Sequence, residues 1–430
     1  YTRAMRKILP LFLAIAWSFF AQRADAQTYY WVGGAGNWTD LSKWAACSGC
    51  AGGAFVQVPQ SFNDVIIDSN SGFVATATAA SRTINITSGN TLVCRSLNVS
   101  TGGRNVVLQG ATRLDVYGSL WLESGTVTTG WTGALHFFGT QSTDSVVLAT
   151  NVTLRNALVQ FEPTNAGQYT MLNYKQQGSG VTGTLNLMKG TGSQLLFLSG
   201  LITNAINHSS GAAEVRDTLS TMGGNNVGLT MTGTAYFRCL GNSRILALSV
   251  TNTAVADFSG AAYRHRWDAV NIATTGTLNI TDASVTHSAT SYYANWVTAP
   301  TCTLLAEGSR VEMTARGSFT GGGKQYHRLV FSASPWVHSG ARADSLFFSN
   351  GFFAIAASSF YVGGRTTPGH LQMRGGAFYN SGGGISTAGG ALTNFYVEPN
   401  TSSLILGQCE QKLILERIDF YFAAGVAALV

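Results

Sequence analysis

Short runs of alternating apolar and polar residues constrain this chain more than any other feature. In residues 114–122, Leu114, Val116, Leu120 and Leu122 alternate with polar or aromatic residues. Period-two alternation puts one set of side chains on each face of a β-strand. Clusters of Gly, Asn, Ser and Thr, which favour turns, separate this run from similar ones. The pattern predicts an all-β fold built from many short strands.

Composition narrows the class of fold further. Only 11% of the residues are charged, against about 25% in a typical soluble domain. Hydrophobic residues make up 45% of the chain, which argues against intrinsic disorder. The apolar spacing of three and four residues that marks an amphipathic helix is not sustained. Short strands at close spacing leave a sandwich, a barrel or a solenoid.

Weak internal repeats favour the solenoid. The sequence TGTLNL at 182–187 recurs as TGTLNI at 275–280, and TGALHF at 132–137 resembles TGTAYF at 232–237. We expect a right-handed parallel β-helix with coils of about 20–25 residues, whose inward apolar side chains stack on those of neighbouring coils. The alternative is a set of tandem β-sandwich domains.

The first 26 residues predict export. Arg6 and Lys7 precede an apolar run from Ile8 to Phe20, and the small residues of Ala24-Asp25-Ala26 follow. This is the layout of a secretory signal peptide after a few upstream residues. The apolar run has 13 residues, whereas a membrane-spanning helix, the alternative, needs roughly 20. We expect a mature protein that begins at Gln27, carries no transmembrane helix, and is secreted or held at the outer cell surface.

The charge of the mature chain is small. Removing the predicted signal leaves 22 basic and 19 acidic residues spread over the remaining positions. So weak and dispersed an excess predicts neither a nucleic-acid partner nor an anionic membrane surface.

An ordered set of motifs follows the predicted signal. They are YYWVGGAGNWTD at 29–40, SKW at 42–44, VP at 58–59, NDVIID at 63–68 and CRSLNV at 94–99. In this order they resemble a family of large secreted surface proteins from the Bacteroidetes phylum, whose mature chains open with a WVGG-GNW-D segment. The resemblance covers residues 29–123. It implies a β-helical repeat region of an adhesin-like protein exported by type IX secretion, and it implies no chemistry.

The chain departs from that family in three places. Lys43 stands where the family usually has His, and Asn63 replaces the first Asp of a pair. The family's C-terminal sorting domain has no recognisable counterpart, and residues 420–430 stay largely apolar. Because a solenoid needs a covered end, we expect a fragment. We divide the mature chain into a capping segment, 27–80, and a β-helix repeat region, 81–430.

Three tryptophans dominate the capping segment. Trp31, Trp38 and Trp44 offer large apolar faces, and Gly33 and Gly34 between them permit a tight turn. We expect these tryptophans to form a structural cap on the first coil. The alternative is an aromatic platform that binds sugar.

The cysteines fit an exported protein. Cys47 and Cys50 are three residues apart, and a secreted context favours a disulfide loop between them over a redox or zinc site. The other four cysteines lie far apart in the sequence, so we expect single buried thiols.

Clustered acids and bases, which catalysis requires, are scarce. No two of the seven histidines have metal-ligand spacing. Asp64 and Asp68 share one face of a predicted strand and are weak calcium candidates. The alternative role for both is turn-capping at the strand ends.

We therefore expect a secreted cell-surface protein that acts as an adhesive or structural module, without catalysis or a cofactor. Its partner would be an extracellular glycan or a surface protein, and Tyr292, Tyr293 and Trp296 form the candidate binding patch, with core packing as the alternative. The alternative function is a carbohydrate-active β-helix enzyme, a polysaccharide lyase or hydrolase. That function requires three or more carboxylates and a Lys or Arg in one groove.

Overall fold

The computed structural model describes most of residues 27–430. It covers residues 27–348 except for short segments, and beyond 348 it describes only the strands given below. The excepted segments are 75–77, 140, 164–167, 178–183, 188–193, 222–227, 289–294, 315–316, 333–335 and 340. The predicted signal segment, residues 1–26, lies outside the described residues.

The chain forms a right-handed parallel β-helix. Within each sheet, a strand that is not at the edge pairs in parallel with strands of the neighbouring coils, apart from the antiparallel edge pair described below. Leu120, for example, is in register with Leu97 and with Val146, on the two neighbouring coils. Neighbouring coils therefore lie about 4.8 Å apart, the spacing of hydrogen-bonded strands. The predicted solenoid is confirmed, and tandem sandwiches, which are built from antiparallel sheets, are wrong.

Three long sheets and one short sheet make up the sides of the coils. The first sheet consists of Trp44–Ala45, Thr28–Trp31, Asp64–Asp68, Ser96–Ser100, Leu120–Leu122, Ser145–Leu148, Gln168–Leu172, Gln194–Phe197, Ala212–Val215, Tyr236–Cys239, Val255–Asp257, Thr277–Asn279 and Thr303–Leu305. The second sheet consists of Leu92–Cys94, Leu114–Val116, Leu135–Phe137, Leu158–Phe161, Thr184–Leu187, Ala205–His208, Leu229–Met231, Leu248–Val250, Val270–Ile272, Asn295–Thr298, Ser318–Thr320, Trp336–Ser339, Phe352–Ala356, Ala377–Ser381, Ser403–Leu406 and Ala427–Leu429.

The third sheet begins later in the chain. It consists of Tyr174–Lys175, Leu201–Thr203, Leu219–Thr221, Ser243–Ile245, Arg264–Trp267, Ser284–His287, Arg310–Met313, Gln325–Phe331, Arg342–Phe348, Ser359–Val362, Gly369–Met373, Gly384–Thr387, Leu392–Val397 and Asp419–Phe420. In the earlier coils a short sheet is present, made of Gly36–Asn37, Thr83–Asn85, Val106–Gly110 and Thr126–Trp131.

Helix is almost absent from the part of the chain that the structure describes. Two single-turn 3-10 helices occur there, Leu41–Lys43 and Ala80–Arg82. Neither these nor any other helix in the described ranges has the length and apolar character needed to cross a membrane.

The core is a column of apolar side chains that point inward from successive coils. Leu97, Leu120, Val146 and Met171 form one such ladder, and all four are fully buried. Complete burial of an aliphatic side chain contributes roughly 1.5–3 kcal/mol, so repetition of these ladders from coil to coil stabilises the solenoid.

The alternating run at 114–122 is two strands rather than one. Leu114–Val116 belongs to the second sheet and Leu120–Leu122 to the first, with a corner between them. At the corner, a Cβ on Gly118 would lie 2.9 Å from the carbonyl oxygen of Arg95, so only glycine fits. The predicted inward set is nevertheless buried, because the alternation continues around the corner.

The sequence repeats do not mark equivalent positions in successive coils. The strand Thr184–Leu187, from the first TGTLN motif, lies in the second sheet, whereas Thr277–Asn279, from its recurrence, lies in the first. Leu135–Phe137 and Tyr236–Cys239, from the other pair, are likewise in different sheets. These recurrences therefore do not mark a fixed position within a coil.

The first sheet is continuous across residue 80. Thr28–Trp31 and Asp64–Asp68 pair in parallel within the first sheet, and Asp64–Asp68 pairs in turn with Ser96–Ser100. At the edge of this sheet, Trp44–Ala45 pairs antiparallel with Thr28–Trp31. The reversed strand occupies an edge that would otherwise be open to another chain.

Candidate functional site

Trp296, one of the three residues of the predicted binding patch, does not lie on the surface. This side chain is fully buried, and its Nε1 donates a hydrogen bond to the hydroxyl of Tyr326 at 2.9 Å. It lies in the inward phase of its strand, in register with the buried Val270, and its ring stacks on that of Trp267. Core packing, the alternative role, is therefore correct for Trp296, and Tyr292 and Tyr293 lie outside the described residues.

The three tryptophans of the capping segment form one buried cluster. Trp44 makes edge-to-face contacts with Trp31 and Trp38, with ring centroids 4.9 and 5.1 Å apart. All three side chains are fully buried, as predicted for a cap, and the sugar-platform alternative is wrong because no ring face is accessible. Lys43 lies over Gly36 and donates a hydrogen bond to the carbonyl oxygen of Gly33 at 2.8 Å. The lysine, at the position where the resembled motif has His, therefore stabilises the glycine turn.

Asn63, the other difference from the resembled motif, also has a structural role. Its side chain is buried, accepts a hydrogen bond from the backbone N–H of Gln60 at 2.8 Å, and donates one to the carbonyl oxygen of Gln27 at 3.2 Å. An ionised Asp has no hydrogen to donate to Gln27.

The cysteine predictions are confirmed for the described residues. Cys47 and Cys50 form a disulfide, with Cα atoms 5.4 Å apart. The buried free thiols are Cys94, Cys239 and Cys302, whereas Cys409 lies outside the described residues.

The two calcium candidates are already engaged by the protein. Asp64 forms a two-pronged ion pair with the guanidinium of Arg95, which lies on the next coil. Asp68 accepts the backbone N–H of Asn70 at 2.9 Å and so caps the turn that ends its strand. The turn-capping alternative is therefore correct for Asp68, and the cation that Asp64 holds is an arginine. Among the described residues, no group of three or more His, Cys, Asp and Glu side chains is arranged to hold a metal ion.

The densest polar cluster lies on the outer face of the first sheet. Glu214, Arg238, Asp257 and Asn279 occupy the same register position on four successive coils. Asp257 lies 3.6 Å from Nε of Arg238, and Glu214 lies 4.0 Å from the same guanidinium. Arg216 adds a closer ion pair with Glu214, at 2.7 Å. We call these residues the paired face.

Asp257 is the centre of this cluster. Its carboxylate accepts hydrogen bonds from the hydroxyl of Tyr236 at 3.1 Å, the hydroxyl of Ser259 at 2.7 Å and the amide of Asn279 at 3.1 Å. Burial and the nearby Asp257 charge raise the pKa of Tyr236, so its phenol stays protonated and remains a donor. A carboxylate with this many donors is held in place as an acceptor.

The paired face approaches the arrangement that an enzyme of this fold would need without reaching it. It brings together two carboxylates and two arginines, one carboxylate fewer than the predicted requirement. Glu214 and Asp257 are two coils apart, or about 9–10 Å along the axis, and Arg238 fills the space between them. The geometry therefore supports a charge-balanced surface in which each acid has a fixed arginine partner.

Sequence reasoning missed this cluster and one exposed aromatic. Trp121 is 53% exposed, although its neighbours Leu120 and Leu122 are fully buried. Its exposure could have been predicted, because Trp121 occupies the polar, outward-facing phase of the alternating run. The charged residues of the paired face are separated by about one coil in sequence, so no local motif contains them.

Comparison with known proteins finds no family model, no curated protein and no solved structure that matches this chain.

Proposed function

We propose that this chain is an exported β-helix of the bacterial cell surface that acts as an adhesive or structural module. The observation that carries the proposal is the continuity of its sheets. Thirteen described strands stack in the first sheet alone, which at about 4.8 Å a strand corresponds to a rod on the order of 60 Å long. A rod of this kind separates its two ends and presents repeated side-chain ladders to partners along its whole length.

The sequence features that precede the β-helix support the same proposal. The predicted signal peptide accounts for export, and the disulfide between Cys47 and Cys50 fits an oxidising compartment. The motifs of residues 29–123 add the resemblance to Bacteroidetes surface proteins exported by type IX secretion.

The charges of the first sheet also favour binding over catalysis. Asp64, Glu214 and Asp257 each have an arginine partner, and Asp257 has three further donors. A general acid or base must exchange its proton with a substrate, whereas these carboxylates are bound to fixed donors.

The alternative is a polysaccharide lyase or hydrolase, and the paired face is the observation that favours it. Glu214 and Asp257 flank Arg238 on an open sheet surface beside the hydroxyl of Tyr236. An enzyme that used this face would depend on Asp257, which accepts more hydrogen bonds than Glu214 does.

One pair of assays separates the two functions. Beads coated with residues 27–430 are tested for adhesion to a glycan array, and the same protein is incubated with polysaccharides while released reducing ends and unsaturated sugars are measured. We expect adhesion without release of either product. The adhesive proposal would be overturned if the wild type releases products and Asp257→Asn abolishes that release. It would also be overturned if no beads bind to the array while products are released.

A further inference from the structure

Five arginines are gathered on the outer face of the third sheet, although they are dispersed in the sequence. We call this surface the arginine face: Arg244, Arg264, Arg266, Arg310 and Arg328. Four of them are exposed and Arg310 is partly exposed. The inward residues between them, such as His265 and Trp267, are buried, so the arginines occupy the outward phase of their strands.

Two register ladders build this face. In one of them Arg264 is followed on successive coils by Ser284, Arg310 and Arg328. The last two arginines are direct neighbours on adjacent strands, about 4.8 Å apart along the axis. Like charges in register across two strands destabilise a sheet. Burial and the charge of Arg310 lower the pKa of Arg328, which is consistent with this crowding.

The second ladder repeats the arrangement. Arg244 is followed on successive coils by Arg266, Thr286 and Glu312. Arg244 and Arg266 are again like charges on adjacent strands. Glu312 is the one carboxylate at the outward positions of these two ladders, against five arginines, and its charge is taken by Arg310 at 2.6 Å.

The remaining arginines have few anionic partners. Arg266 donates to the hydroxyl of Ser288 at 2.6 Å, and that hydroxyl donates in turn to Asp268 at 3.1 Å. Arg244 and Arg264 have no carboxylate oxygen within 4.0 Å among the residues that the structure describes. The excess of positive charge on this face is therefore not neutralised by the described protein.

We propose that the arginine face binds an acidic polysaccharide, one that carries sulfate or carboxylate groups, laid along the axis of the β-helix. This inference rests on the proposed adhesive function and names the class of its ligand. Guanidinium groups bind sulfate and carboxylate oxygens in pairs and stay charged at any physiological pH. A linear polyanion would place its charges along the two ladders and relieve the repulsion between adjacent arginines.

The residues between the arginines favour a sugar chain over a single-stranded nucleic acid. Ser284 and Thr286 form the rung that separates Arg264 and Arg266 from Arg310, and their hydroxyls suit a hydroxyl-rich ligand. Nucleic-acid grooves instead combine positive charge with aromatic rings on which bases stack. Among the described residues of this face, Phe347 has its ring covered by the guanidinium of Arg328, at 4.4 Å from the ring centroid.

The test compares two double variants that lose the same charge. Arg264→Gln with Arg266→Gln removes two charges from the arginine face. The control, Arg82→Gln with Arg216→Gln, removes two charges from elsewhere on the chain. Binding of residues 27–430 to dextran sulfate, polygalacturonate, neutral dextran and single-stranded DNA is measured by calorimetry at two salt concentrations. Circular dichroism confirms that each variant is folded, and Arg244→Gln is the substitute if the first variant is not.

We expect the wild type to bind dextran sulfate or polygalacturonate, with an affinity that falls as salt rises, and not to bind neutral dextran. The arginine-face variant should lose about tenfold in affinity or more, whereas the control should stay within about twofold. A preference between the two polyanions identifies sulfate or carboxylate as the recognised group.

Three results would overturn the inference. They are equal losses in the two variants, equal binding of neutral dextran, and tighter arginine-dependent binding of single-stranded DNA. If the wild type adheres to a glycan array while the arginine-face variant adheres equally well, this inference fails and the adhesive function stands. If neither protein adheres to the array, the adhesive function itself fails.

Discussion

The paired face and the arginine face overlap on the coils of Arg238 and Asp257, and they use arginine in opposite ways. On the paired face, Arg238 lies between Glu214 and Asp257, so positive and negative charges alternate along the register. On the arginine face, Arg264 and Arg266 share one strand, and the next coil offers only the hydroxyls of Ser284 and Thr286. The first arrangement satisfies its charges within the protein, whereas the second leaves them for a partner.

This difference teaches that net charge is a poor guide to the surface of a solenoid. Residues 27–430 have an excess of only three basic residues, yet the arginine face alone concentrates five arginines against Glu312. Stacking converts a spacing of about one coil in sequence into direct contact on the surface. Function on such a fold depends on register, and the two faces provide ways to test it.

The largest expected effect concerns the core that both faces share. Trp267 is fully buried under the arginine face, and its ring lies 4.9 Å from that of Phe258, which follows Asp257 of the paired face. Trp267→Ala should lower the free energy of unfolding by roughly 3–5 kcal/mol. Urea denaturation measures this loss, and Trp121→Ala, at an exposed tryptophan, should cost no more than about 0.5 kcal/mol. Equal losses would show that the two faces do not depend on a common core at Trp267.

The second prediction concerns pH, because two histidines are buried beneath the arginine face. Burial lowers the pKa of His265 and His287 to about 4, so both are neutral in the folded protein. Between pH 6.5 and 4 the unfolded chain binds protons that the folded chain does not. Stability is therefore full above about pH 6.5 and falls as the pH drops, by about 2 kcal/mol for each histidine between pH 7 and pH 5.

A variant isolates this effect from that of the carboxylates. Among the described residues, no partner meets hydrogen-bond geometry at either ring nitrogen of His287, although the backbone of Asp268 lies nearby. His287→Leu should therefore fold and should remove one histidine's share of the pH dependence. Denaturant midpoints at pH 7, 6 and 5 provide the measurement. An unchanged pH dependence in His287→Leu would contradict the assignment.

The third prediction contrasts the faces directly by removing a negative charge from the paired face. Asp257→Asn weakens the hydrogen bonds from Tyr236 and Ser259 and the ion pair with Arg238, at a side chain that is only 12% exposed. We expect a loss of about 1–2 kcal/mol in the free energy of unfolding. Glu307→Gln removes the same charge at an exposed turn and should have almost no effect. Equal effects would mean that the hydrogen-bonded cluster does not stabilise the fold.

The smallest effect should have opposite signs on the two faces. Arg238→Gln removes the guanidinium that lies between two carboxylates. Because this guanidinium is 42% exposed, the loss of stability should stay below about 1 kcal/mol. Arg264→Gln removes a charge that has no carboxylate within 4.0 Å among the described residues, and stability should stay the same or rise slightly. Thermal melting at low salt detects the difference, and a larger loss for Arg264→Gln would contradict the comparison.

Local chemistry made much of the fold predictable. Alternation identified the buried phases at Leu120 and Leu122, and the spacing of Cys47 and Cys50 in a chain predicted to be exported indicated their disulfide. The capping tryptophans were also predictable from local chemistry, because large aromatic rings next to tight glycine turns have few other roles than packing in the core.

Register was not predictable, because the coils differ in length. Leu196 and Glu214 are in register 18 residues apart, whereas Asn279 and Leu305 are in register 26 residues apart. With such variation, the contacts between coils cannot be read from a fixed repeat. For this reason the sequence predicted a patch at Trp296, which is buried, and contained no visible sign of the arginine face.

The most direct measurement is arginine footprinting with phenylglyoxal, read by peptide mass spectrometry, with and without dextran sulfate. Without the polyanion, Arg244 and Arg264 should react faster than the ion-paired Arg95 and Arg238. With it, the arginine face should be protected while the reactivity of Arg238 stays unchanged. Protection of both faces alike, or of neither, would contradict the claim that one side of this β-helix satisfies its own charges and the other is left open for a partner.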